Sequence, residues 1–250
     1  MYINDVHILY YIIVAIGGII IGQFIDWIVK RSEEEKTVFS KDIIAEYRKD
    51  FKPNFILMTI VPIIYIFVLY FYGIRSGGIL ENLNVIKYIL IVPILISIFI
   101  IDYKHQIIPN RLNLTLFELG LVFTLLFGFN NVMIAADMLL GLLAGGGIFL
   151  LITLVGGLIA GKEAMGFGDV KLMCGLGLLF GFTNIIIITL LSFLIGAIIS
   201  IILLISKKKK KNEYIPFGPF IILSTLIVIF VPSNILVNIL LNIFTLGMIN

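Results

Sequence analysis

Apolar runs long enough to cross a bilayer recur along this chain of 250 residues, and they leave little choice of fold. A helix rising 1.5 Å per residue needs about 20 apolar residues to cross a ~30 Å hydrocarbon layer. In lipid every backbone N–H and C=O must find its partner within the chain, so such runs become helices. Eight candidate spans are read, at about 8–29, 55–72, 85–101, 112–128, 134–160, 172–183, 185–205 and 216–231, with an interfacial segment around 233–247. With 60% hydrophobic and 13% charged residues, a soluble domain is excluded. The expected fold class is all-α: one polytopic transmembrane helical bundle over 1–250, one span short, with its N-terminus outside. The first run lacks a basic n-region and a small-residue cleavage site, so it is expected to be a retained span. Cys174 is the sole cysteine, which excludes an intrachain disulfide and a Cys-based zinc site.

The basic residues orient the chain, because cytoplasmic loops collect Lys and Arg. With the N-terminus outside, the inside segments 30–54, 102–111, 161–171 and 206–215 hold seven, two, two and five Lys/Arg, 16 of the 18. Only Arg75 and Lys87 fall elsewhere. The twelve residues of the sixth span cover only ~18 Å as a helix. Were 172–205 one crossing, however, Lys207–Lys211 would land opposite Lys30–Lys52, so a short sixth span is expected. Lys207–Lys211 reads as a topology anchor touching anionic headgroups. Lys30–Asn54 reads as a charged, partly helical cytoplasmic loop inserted between spans one and two. Glycines at four-residue spacing (Gly18/Gly22, Gly141/Gly145, Gly157/Gly161, Gly177/Gly181) are expected to let helix backbones approach closely. The run Gly145-Gly-Gly147 would allow a bend.

Acids at membrane depth are costly, so each needs a reason. Five qualify: Asp26, Asp102, Glu118, Asp137 and Asp169. Asp137 reads as a first-turn acid or an interfacial residue. Glu118 must face protein or water, with no partner assigned. Asp26, beside Trp27 and Lys30, reads first as a structural partner and second as support for a site at the same depth. Asp102 and Asp169 stand apart. Span three runs inward and ends at Asp102, and span six runs outward just after Asp169, so parity alone puts both at the cytoplasmic face. Gly166 and Gly168 precede Asp169 and permit close approach of another chain, such as an extended peptide. Lys171 follows two residues on. His105 reads as a loop residue.

Paired carboxyls point to a chemistry. Two within a few ångströms cannot both ionise, so they share a proton. The ionised one draws a proton from water, and the protonated one donates toward a scissile carbonyl. The pair titrates as a unit and needs no metal or organic cofactor.

Four segments carry a family likeness. They are Gly22-Gln-Phe-Ile-Asp-Trp-Ile-Val-Lys-Arg31, Ile101-Asp-Tyr-Lys-His-Gln-Ile-Ile-Pro-Asn-Arg-Leu112, Met165-Gly-Phe-Gly-Asp-Val-Lys-Leu-Met173 and Ile215-Pro-Phe-Gly-Pro-Phe220. In this order they resemble the type IV prepilin peptidases, membrane aspartic peptidases with a Gly-x-Gly-Asp motif, over about residues 15–225. The resemblance implies that Asp102 and Asp169 are catalytic; from the residues' own placement, Gly166, Gly168, Lys171 and Asp26 are expected in support. It implies prepilin or pseudopilin substrates, cut at the cytoplasmic face between a short basic leader and a long apolar helix. The products would serve a type IV pilus, a type II secretion pseudopilus or a DNA-uptake apparatus. No nucleic acid is expected as a partner.

Three departures stand out. Larger relatives carry two Cys-x-x-Cys pairs in the loop after span one, whereas Lys30–Asn54 has no cysteine, so zinc is not expected there. Many of those relatives also methylate the new N-terminus, but no glycine-rich methyltransferase fingerprint is visible. S-adenosylmethionine is therefore a cofactor only if methylation is present. Asn110 stands where some relatives have Asp. Among alternatives, a presenilin-like protease would show Tyr before its first aspartate and a late Pro-Ala-Leu, whereas Ile101 and Pro216-Phe-Gly-Pro219 stand here. A proton-coupled transporter would favour inverted repeats and midplane acids; no convincing repeat is read, and the two key acids, Asp102 and Asp169, sit at one face. A purely structural scaffold would leave both aspartates replaceable.

Overall fold

The computed structural model describes residues 2–4, 6–33, 53–74, 82–161, 165–206 and 215–245. Among these residues the helices are α1 (Ile8–Glu33), α2 (Phe55–Tyr72), α3 (Leu83–His105), α4 (Asn110–Asn130), α5 (Val132–Ala160), α6 (Phe167–Ile205), α7 (Gly218–Phe230) and α8 (Ser233–Phe244). The first six are long and apolar enough to cross a membrane. The fold is thus an all-α, polytopic membrane bundle. A two-residue antiparallel ladder, β1 (Tyr2–Ile3) with β2 (Val6–His7), precedes it and was not expected. Most of the charged segment 30–54, and Lys207–Lys211, lie outside the described residues. Packing divides the chain into two units, residues 1–105 and 106–250.

In the first unit, α1 and α2 pack backbone to backbone. A Cβ placed on Gly18 would come within 2.7 Å of Pro62 Cα, and one on Gly22 within 2.4 Å of the Leu57 carbonyl oxygen. The four-residue glycine spacing here serves close helix approach, as expected. Pro93 lies inside α3 and cannot donate to the carbonyl four residues back, which is that of Ile89. Tyr65 of α2 donates its hydroxyl to that oxygen at 2.7 Å, so no acceptor is stranded in the apolar interior. Asn54 caps α2 by accepting from the Leu57 amide at 3.3 Å.

In the second unit, α6 is not one crossing. Gly181 has φ 78° and ψ 178°, and divides α6 into arms of residues 167–180 and 182–205. A Cβ on Gly145 would lie 2.6 Å from the Met173 carbonyl oxygen and 2.8 Å from Ile185 Cγ1. Met173 and Ile185 are twelve residues apart and would be separated by ~18 Å along a straight helix. The arms therefore fold back on each other at Gly181. Along α5, Gly141 meets Gly177 and Gly181, Gly145 meets Met173, and Phe149 stacks on Phe193. Hence α5 runs antiparallel to the first arm and alongside the second. Ile108 beside Gly168, Leu116 beside Gly175 and Leu178 beside Gly120 make α4 parallel to the first arm. The start of α4, the end of α5, the start of α6 and the end of α6 thus share one end of this unit. The expected short sixth span and return are present, with the break at Gly181 and not near residue 184.

Two glycine expectations are corrected. Gly161 ends α5 in the left-handed conformation (φ 63°) and donates to the Gly157 carbonyl, so that pair closes a helix and does not pack one. The helix also continues through Gly145-Gly-Gly147, because Gly145 and Gly146 are pressed against Met173 and Cys174 of α6.

Candidate active site

Asp102 lies in the last turn of α3, not in the loop beyond it. Ile91, Leu95 and Ile98 form a fully buried stripe at helical spacing, and Asp102 continues it at 4% exposure. Tyr103 beside it is 71% exposed. His105 ends the same helix and is exposed.

Asp169 has the mirror-image placement in the second unit. It lies in the first turn of α6, its amide donating to the Gly166 carbonyl at 3.1 Å. Leu172, Met173 and Leu176 are fully buried, and Asp169 extends their stripe toward the helix start at 4% exposure. A carboxyl at each of these positions stands where the pattern calls for an apolar side chain. An acid at a helix N-terminus also gains from the first-turn amides.

The supporting residues divide. Gly168 eases a close approach: a Cβ there would come within 3.2 Å of Ile108 Cβ. Its carbonyl does not lie open for a peptide, because Asn113 of α4 donates Nδ2 to it at 3.1 Å. Gly166 precedes the helix with an ordinary extended backbone. Lys171 donates to Asn110 Oδ1 at 2.8 Å, a second tie between α6 and α4. Asp26 is a structural partner in the first unit. It pairs with Lys30 and accepts from Asn54 Nδ2 at 2.7 Å, while the Asn54 amide donates to Gln23 at 2.9 Å. These contacts anchor the start of α2 to α1.

The other two acids are also placed. Asp137 is the sixth residue of α5, not a first-turn acid, and its carboxylate lies against the Gly181 turn, 2.0 Å from where a Cβ would stand. Glu118 is exposed on the outer face of α4, and nothing in the structure explains it. Among the described residues no group of three or more His, Cys, Asp or Glu could hold a metal ion. A cavity of about 340 Å³ lies between α4 and α6, lined by Asn110, Asn113, Leu114, Phe117, Lys171 and Cys174.

Asn113 was missed in the sequence. Its signal was a polar residue beside an apolar core stripe of α4 (Leu112, Leu116, Phe123). The segment Ile215–Phe220 resolves as packing. Phe217 joins Phe149 and Phe193 at ring-centroid distances of 6.0 and 5.1 Å, and Phe220 lies against Gly196.

Residues 89–201, which include both aspartates, match the Type IV leader peptidase family. The chain is 33% identical over 136 residues to the Prepilin leader peptidase/N-methyltransferase of Aeromonas hydrophila, covering 54% of this chain and 46% of that one. It is 36% identical over 144 residues to that of Legionella pneumophila, covering 57% and 48%. With that of Pseudomonas aeruginosa it shares 35% over 133 residues, 52% and 44%. The chain thus spans about half the length of these curated relatives. No solved structure matches it. The resemblance read from the second and third motif segments holds by direct comparison. The first and fourth segments lie outside the family match.

Proposed function

We propose, for a chain whose residues 89–201 carry the type IV leader peptidase sequence, that it is a membrane aspartic endopeptidase removing the short leader of prepilin or pseudopilin precursors. One observation carries this reading. Each of two helices of the matching stretch ends its buried apolar stripe in an aspartate, Asp102 at the close of α3 and Asp169 at the opening of α6. Burying a carboxyl at the end of an apolar stripe is costly, and an acid held there marks a functional site.

The mechanism follows from acid–base chemistry. When the substrate lies across both carboxyls, one is ionised and one protonated. The ionised carboxyl takes a proton from a water molecule, whose oxygen attacks the scissile carbonyl. The protonated carboxyl donates to that carbonyl oxygen. In the second step the first carboxyl gives its proton to the leaving nitrogen, the other takes a hydroxyl proton from the diol, and the C–N bond breaks, which restores the pair. Proteolysis needs no metal or organic cofactor. Methylation of the new N-terminus, named in the relatives' descriptions, would need S-adenosylmethionine as methyl donor.

The active site is assigned to the cytoplasmic face, with the N-terminus outside. Support comes from the Lys/Arg distribution and from the second unit. There the start of α4, the start of α6 and the end of α6 share one end, and Lys207–Lys211 follows directly.

The test is a cleavage assay of wild type, Asp102→Asn and Asp169→Asn in lipid with a prepilin substrate, read by intact mass. Wild type should cut between leader and apolar helix, while each variant falls at least ~10³-fold. Retained cleavage in either variant, at equal folding, sinks the dyad. Adding S-adenosylmethionine shows in the same spectrum whether the product gains a methyl group.

A further inference from the structure

We infer that Asn113 is a positioning residue for Asp169, an inference that rests on the peptidase reading above. Asn113 is 3% exposed on α4. Its Nδ2 donates to the Gly168 carbonyl at 3.1 Å. That carbonyl and the Asp169 amide belong to one rigid peptide plane, so the bond holds the plane from which Asp169 projects. The chemistry also sets the amide's orientation, since only the NH₂ end can donate to a carbonyl.

Three further features argue that the bond serves placement and not packing. Asn113 Oδ1 is buried and has no hydrogen-bond partner among the described residues. A half-satisfied buried amide is worse for stability than an apolar side chain of the same shape. A leucine would continue the stripe of Leu112, Leu116 and Phe123. The contact also sits among others between this end of α4 and α6, with Gly168 against Ile108 and Lys171 tied to Asn110. Together these contacts tie the start of α6 to residues 108–113. Asp169 is thereby referenced to α4, and a shift of ~1 Å in a reacting group can cost about 10²-fold in rate.

The test compares wild type, Asn113→Leu, Asn113→Gln and Asp169→Asn in lipid. It reads prepilin cleavage, thermal unfolding, and amide hydrogen exchange over residues 165–173. In Asn113→Leu, kcat should fall ~10- to 100-fold with KM within about twofold. Its melting temperature should not fall, and exchange should quicken over 165–173 alone. Asn113→Gln keeps the donor and has the adjoining cavity to accommodate its extra methylene, so it should recover part of kcat. Wild-type kcat and unchanged exchange in Asn113→Leu would overturn the inference. So would a loss of cleavage matched by a lower melting temperature and faster exchange throughout. Should wild type itself fail to cleave, the peptidase reading falls separately. Exchange over 165–173 then decides alone: quickened, the positioning role stands; unchanged, it does not.

Discussion

Pro93 takes one N–H out of α3, and a tyrosine on another helix answers it. The Tyr65 hydroxyl reaches the stranded Ile89 carbonyl at 2.7 Å, at a site that is only 2% exposed at Tyr65. Tyr65→Phe keeps the ring and removes the donor. It should cost about 1–3 kcal/mol, the penalty of an unsatisfied buried carbonyl. Thermal unfolding in lipid would measure it, and an unchanged melting temperature would mean another donor replaces the hydroxyl. Pro93 was visible in the sequence, but its partner was not, because nothing local links residue 65 to residue 89. Asp102 and Asp169 were legible for the opposite reason. An acid beside an apolar run is a local anomaly that needs no partner to be noticed. Asn113 lies between these cases, since a polar residue beside an apolar stripe is visible but has no assignable role before its contact with Gly168 is known.

At the scale of elements, Gly181 decides what α6 is. Hydropathy alone reads residues 172–205 as almost unbroken, and only the charge count argued for a return. Gly181 has φ 78° and ψ 178°, a region essentially reserved for glycine, which other residues enter at a cost of roughly 1–3 kcal/mol. A Cβ there would also stand 2.0 Å from Asp137 Oδ2. Gly181→Ala should therefore destabilise by about 2–4 kcal/mol. Asp137→Ala added to it should return the steric part but not the backbone part. Thermal unfolding of both single variants and the double variant separates the two terms, and full additivity would place Asp137 away from the turn. The glycines at 141, 145 and 177 could be assigned to packing from spacing alone. Gly161 could not, because the same spacing closes a helix there, and only its φ of 63° tells the two uses apart.

For the whole molecule, the testable quantity is which helix ends face the same side of the membrane. In a Cys174→Ser background, single cysteines at Asn131 and at Ser206 should label from opposite sides with a membrane-impermeant thiol reagent. Ser206 should react only from the cytoplasmic side. Labelling of both from one side would restore a straight α6 crossing and remove the topological support for a cytoplasmic active site. Both positions belong to the second unit, so the experiment does not depend on the first.

What the sequence determined by itself was the class of fold, the return within residues 172–205, and two acids that stand out at helix ends. These follow from local quantities: hydropathy over a run, Lys and Arg per loop, a carboxyl where an apolar residue belongs. The tertiary structure decided the Gly181 reversal, the Tyr65 bond to a proline-freed carbonyl, the anchoring of Asp26 to Asn54 and Lys30, and the hold of Asn113 on Gly168. Each of those depends on a partner met only when helices pack. In an apolar bundle, contacts are chosen by small surfaces and stray polar groups, which leave almost no trace in a hydropathy pattern.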